Sequence, residues 1–340
     1  MNSQKLIDTA KAIFAEDKGI LAMDESNPTC NKRFAALGIP QTEASRRAYR
    51  ELIITSPGLR ESISGAILYD ESIRQKTSNG TSFVDVLVEA GIIPGIKVDT
   101  GAKALPGFPG EKVTEGLDGL AARVQEYARM GARFAKWRAV IAIGAAIPSE
   151  ACVDANAHAL ARYAAICQDA GLVPIVEPEV VMDGLHDLEQ CLEVTGRVLH
   201  AVFNQLHVQR IFLEGMILKP NMVLPGKDSP ATPDPGQVAD ATVHCLLRSV
   251  PAAVAGIAFL SGGQTGQLAC ARLNAMNVRF AGKMPWPLTF SFARAIQHPA
   301  LDIWSGHDAT VKAAQTALVH RAECSRAARL GQYTAKMERA

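Results

Sequence analysis

The sequence predicts an α/β fold of the (β/α)₈ barrel type. Short apolar runs alternate with helical patterns along the whole chain of 340 residues. Continuous apolar strands separated by helices are typical of a parallel sheet whose outer face is covered. Eight such runs match the strand number of a closed barrel. They span residues 19–24, 65–70, 93–99, 133–138, 172–179, 212–221, 256–263 and 287–294.

The segments between the runs carry the periodicity and the end signals of helices. Ser149 is a predicted N-cap, and Gly131 and Gly171 are predicted to end two helices. Apolar residues spaced along one helical face before residue 15 predict an extra N-terminal helix. The clearest helical patterns lie at 42–54, 117–130 and 149–170.

The chain is expected to form one barrel domain, residues 1–340, with a short C-terminal segment at about 331–340. It has no Ser/Gly linker, low-complexity tract or strong internal repeat that would divide it. The alternative is a doubly wound open sheet. That fold would ordinarily need fewer strands or a second domain, and no dinucleotide-binding glycine fingerprint follows the first run.

Composition narrows the functional classes. The 35 Lys and Arg nearly balance the 34 Asp and Glu, so a formal net charge of +1 gives no general attraction to nucleic acid or to an anionic membrane. A secretory h-region is not visible, and Pro251 and Gly256 interrupt the longest uncharged stretch. Seven cysteines without a CxxC pair indicate free thiols in a reducing cytoplasm. The composition does not exclude a small phosphorylated or acidic ligand.

Nearly every apolar run ends in polar residues. In a barrel the carboxyl ends of the strands meet at one mouth, where loops and ligand can satisfy charges that a strand interior cannot. The pattern therefore predicts an active site there, although charges also mark where any strand reaches the surface. The residues are Asp24, Asp70, Lys97, Asp99, Lys136, Arg138, Glu177, Glu179, Lys219, Ser261 and Arg294.

Three of these residues are lysines: Lys97, Lys136 and Lys219. An amine crowded by other cations and partly desolvated loses proton affinity, which makes it a nucleophile able to form a Schiff base with a carbonyl. Lysines also bind phosphate groups as point charges. The residue pattern leaves both roles open for all three.

Carboxylates accompany the lysines. Glu177 and Glu179 lie two apart, so a regular strand would direct both side chains the same way, toward acid/base chemistry or a structural ion-pair network. Asp24 is interpreted either as a base or as the N-cap of the next helix.

The segment SGGQ, starting at Ser261, follows an apolar run and resembles a phosphate-binding loop, since glycine amides can approach an anion closely. Arg294 after the last run supports this interpretation, because barrels often bind phosphate after strands seven and eight.

A metal site is disfavoured. The eight histidines fall mostly outside the strand ends, and no HxH or HExxH spacing occurs. Asp154 and His158, one helical turn apart, are more simply a solvated helix face. We expect a metal-free mechanism without a cofactor.

Seven motifs in order strongly resemble class I fructose-bisphosphate aldolases, the Schiff-base, metal-independent family. The resemblance extends from about Leu6 to Tyr333. It implies a cytoplasmic enzyme of glycolysis and gluconeogenesis that forms a homotetramer. The motifs are LAMDES, GIKVDTG, FAKWR, IVEPE, LKPNM, FLSGGQ and SFARA.

The resemblance assigns catalytic roles. It implies that Lys219 attacks the substrate ketone and that Glu177 is the general acid/base of carbinolamine dehydration. Asp24 would take the proton of the C4 hydroxyl, Lys136 would hold that hydroxyl, and Lys97 would assist near the second phosphate.

It also assigns substrate-binding residues. Arg138 and Glu179 would support the catalytic groups. The implied phosphate contacts are Ser261, the backbone of Gly262 and Arg294 for the C1 phosphate, and Ser26, Thr29 and Arg33 for the other phosphate.

Three departures from the family pattern stand out. Phe292 and Ala293 replace a Tyr-Gly pair, and Thr29 replaces a serine. The sequence also ends at Ala340, without the long tail and terminal tyrosine of animal and plant members. That difference predicts slow protonation of the enamine intermediate.

Alternatives to this function keep the fold. Sedoheptulose 1,7-bisphosphate could serve as well as fructose 1,6-bisphosphate, since the chemistry at C1 to C4 is shared. A non-catalytic binding protein is disfavoured because Lys219, Glu177, Asp24 and Lys136 are all present. A metal-dependent aldolase would lose activity on chelation.

Overall fold

A computed structural model describes residues 3–339. The ends of the predicted domain, residues 1, 2 and 340, lie outside the described residues. The strands are β1 (Gly19–Ala22), β2 (Ile63–Leu68), β3 (Ile93–Lys97), β4 (Gly101–Ala104), β5 (Lys112–Glu115), β6 (Phe134–Ile141), β7 (Val173–Val180), β8 (Ile217–Leu218), β9 (Ile257–Phe259) and β10 (Leu288–Phe292).

Helices follow or separate these strands. The α-helices are α1 (Ser3–Phe14), α2 (Asn27–Ala36), α3 (Glu43–Ile54), α4 (Asp70–Arg74), α5 (Phe83–Glu89), α6 (Leu120–Arg129), α7 (Glu150–Asp169), α8 (Leu188–Val208), α9 (Pro235–Ser249), α10 (Gly266–Arg279), α11 (Arg294–Trp304) and α12 (Val311–Arg329). Short 3₁₀ helices span Ala15–Asp17, Leu59–Glu61, Leu213–Gly215, Asp308–Thr310 and Ala335–Arg339.

Eight parallel strands close into a barrel in the order β1-β10-β9-β8-β7-β6-β3-β2. Each predicted run overlaps one of these strands, and β1 pairs with both β2 and β10. The predicted (β/α)₈ barrel is therefore confirmed, and the alternative of an open sheet is wrong.

The strands β4 and β5 form an antiparallel hairpin that the sequence analysis did not predict. Each is four residues long and mostly exposed or half-buried, so neither forms a continuous apolar run. The hairpin leaves the barrel directly after β3 and lies beside the mouth.

The predicted helix ends are confirmed in detail. Ser149 is the N-cap of α7, and its Oγ accepts a hydrogen bond from the backbone N–H of Cys152 at 3.2 Å. Gly131 and Gly171 have φ angles of +106° and +75°, which is the left-handed conformation expected beyond a helix end.

The extra helix α1 covers the amino-terminal end of the barrel. Its apolar face packs on inward-facing strand residues, which together form a separate hydrophobic cluster. Gly256 is required at this contact, because a Cβ there would lie 2.3 Å from the ring of Phe14. The members of the cluster are Leu6, Ala10, Ile13, Phe14, Ile20, Ala22, Ile67, Phe134, Val173, Ile175, Ile217 and Ala258. With this end filled by apolar side chains, polar groups inside the barrel gather at the opposite end.

Two further features bear on the sequence predictions. All seven cysteines are buried free thiols. Within residues 3–339, every helix is too short or too polar to cross a lipid bilayer.

Candidate active site

A cavity of about 800 Å³ opens at the carboxyl ends of the barrel strands. All thirteen residues to which the family resemblance assigns a role line it, so the fold brings together side chains from across the chain. They are Asp24, Ser26, Thr29, Arg33, Lys97, Lys136, Arg138, Glu177, Glu179, Lys219, Ser261, Gly262 and Arg294.

Asp70 is the exception among the polar strand ends. It is the first residue of α4, and its carboxylate pairs with Arg74 at 2.9 Å and accepts a hydrogen bond from the Tyr127 hydroxyl at 2.9 Å. The expectation that Asp70 faces the mouth is wrong, because β2 ends two residues earlier, at Leu68, and a helix begins at Asp70.

Four buried charged groups form the centre of the cavity. Lys136 Nζ lies 2.7 Å from Asp24 Oδ2 and 3.2 Å from Glu177 Oε2. The other oxygen of Glu177 lies 3.2 Å from Lys219 Nζ. One carboxylate thus bridges two amines, an arrangement that can move a proton to or from a group attached to Lys219.

Asp24 is held by this cluster and is not an N-cap. The N-cap of α2 is Ser26, two residues later. The interpretation of Asp24 as a helix cap is therefore wrong. Its carboxylate instead pairs with Lys136 of β6, three strands away around the barrel.

The charges in the cluster stabilise one another. Burial alone would raise the pKa of Asp24, but Lys136 and Lys219 outweigh it and lower that pKa to about 2. Burial likewise opposes ionisation of Glu177, and Lys136 and Lys219 lower its pKa below the usual range. For Lys136, the penalty of burial is outweighed by Asp24 and Glu177, so its pKa is raised. The three groups are ionised at neutral pH.

The low pKa of Asp24 predicts a pH-dependent contribution to stability. Because its pKa falls from 3.8 to about 2 on folding, the ionised form contributes about 2 kcal/mol above pH 3.8, and this is lost as the pH falls through 2. Asp24→Asn should lower Tm at pH 7, and the difference from wild type should shrink below about pH 4. Thermal unfolding from pH 7 to pH 3 checks this. A difference that grows with acidity would contradict it.

Lys97 has a different partner from the other lysines. Its Nζ donates to the backbone oxygen of Asp99 at 2.8 Å and to the Asp99 carboxylate at 2.6 Å. The same carboxylate accepts the backbone N–H groups of Gly101, at 3.1 Å, and Arg138, at 3.3 Å. Lys97 is therefore fixed at the wall of the cavity, where its charge can meet an anion.

Glu177 and Glu179 do not share a proton, because each faces a different cation. Glu179 pairs with the guanidinium of Arg138. Glu177 pairs with Lys136 and Lys219. Glu179 and Arg138 thus belong to the wall of the cavity, and Glu177 belongs to the buried charged cluster at its centre.

One side of the cavity has the features of a phosphate site. Ser261 and Gly262 follow β9, and Gly262 and Gly263 adopt φ angles of +59° and +92°, which favour glycine. Arg294 begins α11, whose N-terminal turn lines the cavity and favours negative charge. Ala293, a departure from the family pattern, also lines the cavity.

The opposite side is formed by α2 and the residue before it. Ser26 Oγ lies 3.1 Å from Thr29 Oγ1, and Arg33 Nη1 pairs with Glu25 at 2.6 Å. Hydroxyl groups at the start of a helix and a guanidinium from its last turn form a second candidate anion site.

Sequence reasoning missed several lining residues. Lys32, His298 and Asp302 lie on helices facing the mouth, and Gly101 and Ala102 belong to the unpredicted hairpin. None of them follows an apolar run, so the strand-end signal did not select them.

The described residues 3–339 contain no group of three or more His, Cys, Asp or Glu side chains placed to hold a metal ion. Asp154 and His158 are both exposed on α7. This agrees with their interpretation as a solvated helix face.

Comparisons with known proteins agree on one family. A family model described as fructose-bisphosphate aldolase class-I matches residues 5–340. The chain is 57% identical over 305 residues to a probable fructose-bisphosphate aldolase class 1 of Xanthomonas campestris, covering 90% of this chain and 91% of the relative. It is 52% identical to the cytosolic fructose-bisphosphate aldolase 5 of Arabidopsis thaliana, covering 98% and 92%.

A solved fructose-bisphosphate aldolase of Plasmodium falciparum is similar over nearly the same length. The TM-score is 0.95 at 45% sequence identity, with 98% of this chain and 96% of the other covered.

Proposed function

The chain belongs to the class I fructose-bisphosphate aldolase family, whose members are lyases of glycolysis, and on this premise we propose that Lys219 is the residue that forms the Schiff base. The observation that carries the proposal is the bridge from Glu177 to both Lys219 and Lys136, with Glu177 3.2 Å from each amine. Among the three candidate lysines, Lys136 is held between Asp24 and Glu177, and Lys97 is bound to Asp99 at the wall of the cavity. The amine of Lys219 pairs with Glu177, which is therefore placed to serve an imine on Lys219.

Imine formation requires two proton transfers that Glu177 is placed to make. The Lys219 ammonium group first gives a proton to Glu177, and the neutral amine then attacks C2 of the ketose. A second proton moves from the attacking nitrogen to the former carbonyl oxygen, which becomes the hydroxyl of the carbinolamine. The carbinolamine hydroxyl then takes a proton from Glu177 and leaves as water, which gives the iminium ion. Lys136 and Lys219 keep Glu177 ionised in the free enzyme, so the carboxylate is ready to accept the first proton.

Cleavage requires a base near C4 of the substrate. Asp24 takes the proton of the C4 hydroxyl, the C3–C4 bond breaks, and its electron pair moves to the iminium to give an enamine while the aldehyde leaves. Lys136, 2.7 Å from Asp24, is placed to transfer its hydrogen bond to the C4 oxygen, which relieves Asp24 of its cation and makes it a stronger base.

The two candidate anion sites hold the phosphate groups. Ser261, Gly262 and Arg294 bind the C1 phosphate. The second phosphate binds to Ser26 and Thr29, near the start of α2, and to Arg33 in its last turn. A bisphosphate spanning the cavity places its middle carbons over the buried charges.

Arg294→Ala is expected to weaken substrate binding more than turnover. Loss of one charge-assisted contact to phosphate should raise KM roughly 10- to 100-fold, with a smaller effect on kcat. Steady-state cleavage of fructose 1,6-bisphosphate measures this, with Arg279→Ala as a control, since Arg279 is exposed and pairs with Asp240 outside the cavity. An unchanged KM in the Arg294 variant would show that this residue does not bind the phosphate.

The proposed chemistry needs no metal ion, because the protonated imine withdraws the electrons that a Lewis acid would otherwise accept. Activity on fructose 1,6-bisphosphate should therefore be the same with and without EDTA. A loss of activity with EDTA that zinc restores would overturn the proposal.

We further propose that fructose 1,6-bisphosphate is the main substrate, that the enzyme forms a homotetramer and that it acts in the cytoplasm, in gluconeogenesis as well as glycolysis. Names of the relatives support the substrate and, for those of Arabidopsis thaliana, the compartment. Parallel cleavage assays with sedoheptulose 1,7-bisphosphate test the first point, and light scattering tests the second.

A further inference from the structure

A network of charged groups lies beside the cavity, centred on Glu71 in the first turn of α4. The Glu71 carboxylate accepts hydrogen bonds from Arg46 Nε at 2.8 Å and Arg46 Nη2 at 2.7 Å. It also accepts one from Arg50 and one from Asn27 Nδ2 at 2.8 Å. Glu71 is not among the residues that line the cavity.

The network holds α2 at two points and the segment before it at a third. Asn27, the first residue of α2, binds Glu71 directly. Arg46 Nη1 donates to Asn31 Oδ1 at 3.0 Å, and Arg50 Nη2 donates to the backbone oxygen of Glu25 at 3.1 Å. These three points span the segment 25–31, which includes Ser26 and Thr29 and ends two residues before Arg33.

Apolar packing alone fixes α2 weakly. Of its ten residues, two are buried, Cys30 and Phe34. By contrast, Arg46 and Arg50 are 7% and 2% exposed, so their hydrogen bonds are sheltered from water and have defined geometry. Burial would raise the pKa of Glu71, but its bonds to Arg46 and the charge of Arg50 lower it, so the carboxylate stays ionised at neutral pH.

We infer that Glu71 is a positioning residue for the second phosphate site: through Arg46, Arg50 and Asn27 it holds α2 where Ser26, Thr29 and Arg33 can meet that phosphate. The inference rests on the proposed function and adds to it a group that does not touch the substrate. It predicts that replacing Glu71 lowers kcat/KM only for substrates whose second phosphate binds beside α2.

Fructose 1-phosphate provides the matched substrate, because it has the C1 phosphate and the reacting carbons but lacks the second phosphate. In Glu71→Gln, the amide group would direct N–H donors at the arginines and break the network. We expect kcat/KM for fructose 1,6-bisphosphate to fall about tenfold, mainly through KM, while kcat/KM for fructose 1-phosphate changes less than twofold. Glu71→Asp, which keeps the charge, should recover part of the loss.

Glu126→Gln is the control variant. Glu126 of α6 pairs at 2.6 Å with Arg74, which lies in α4 like Glu71. This ion pair does not involve α2. It should behave as wild type on both substrates. Retained cleavage of fructose 1-phosphate also shows that each variant is folded.

Two results would reject the inference: equal losses on both substrates in Glu71→Gln, or no loss on either. A wild-type enzyme that cleaves neither ketose phosphate would instead reject the proposed function, and the inference with it. If Glu71→Gln does not fold, Glu71→Asp becomes the test variant. Its kcat/KM must then fall for fructose 1,6-bisphosphate and not for fructose 1-phosphate.

Discussion

Replacing Lys219 with methionine should lower kcat by at least roughly 10⁴-fold, a loss comparable to removal of the covalent nucleophile in other enzymes. The methionine has a similar length and fills the buried site, so the barrel should remain folded. It has no amine, so neither the carbinolamine nor the iminium can form. Steady-state cleavage of fructose 1,6-bisphosphate, with circular dichroism to confirm folding, measures the effect.

Lys97→Met is the matched control for this variant. Lys97 also lies at the end of a barrel strand, but its amine is bound to Asp99 at 2.6 Å and does not reach the central cluster. We expect the control to lose binding of the phosphorylated substrate and to keep most of kcat. If Lys97→Met lost turnover and Lys219→Met kept it, the assignment of the nucleophile would be reversed.

Glu177→Gln should lower kcat by about 10² to 10⁴-fold, the usual contribution of a general acid/base. The glutamine side chain occupies the same space between Lys136 and Lys219 but cannot accept and return a proton. The loss should therefore appear in the dehydration step that forms the imine. Single-turnover measurements of imine formation test this directly.

Glu179→Gln provides the comparison. Glu179 points the same way along β7 but pairs with Arg138 and not with a lysine. A much smaller loss in kcat is expected for this variant. Equal losses in both variants would indicate that the effect comes from altered charge in the cavity and not from proton transfer.

Most of the barrel and the lining of its mouth could be predicted from the sequence because both depend on local patterns. The apolar runs that end in Asp24 and Asp99 show both the strand and its carboxyl end, because β1 ends at Ala22 and β3 at Lys97. The parallel topology then brings these ends to one edge. Turn chemistry was equally local, as Ser149 and Gly171 show.

Which side chains pair with one another could not be predicted, because the pairing depends on the folded geometry. The sequence left Lys97, Lys136 and Lys219 equivalent, since each follows an apolar run, and only the closed barrel shows that Glu177 joins two of them. The contacts of Asp70 with Tyr127 and of Glu71 with Arg46 were likewise not predictable, because these partners lie tens of residues away in the sequence.

The most direct test of the account is to identify the lysine that carries the covalent intermediate. Dihydroxyacetone phosphate and borohydride are added to the enzyme, since reduction converts the imine into a stable secondary amine, and the modified peptide is mapped by mass spectrometry. The adduct should be found on Lys219, in the peptide containing LKPNM. An adduct on Lys97 or Lys136 would contradict the assignment on which the proposed mechanism is built.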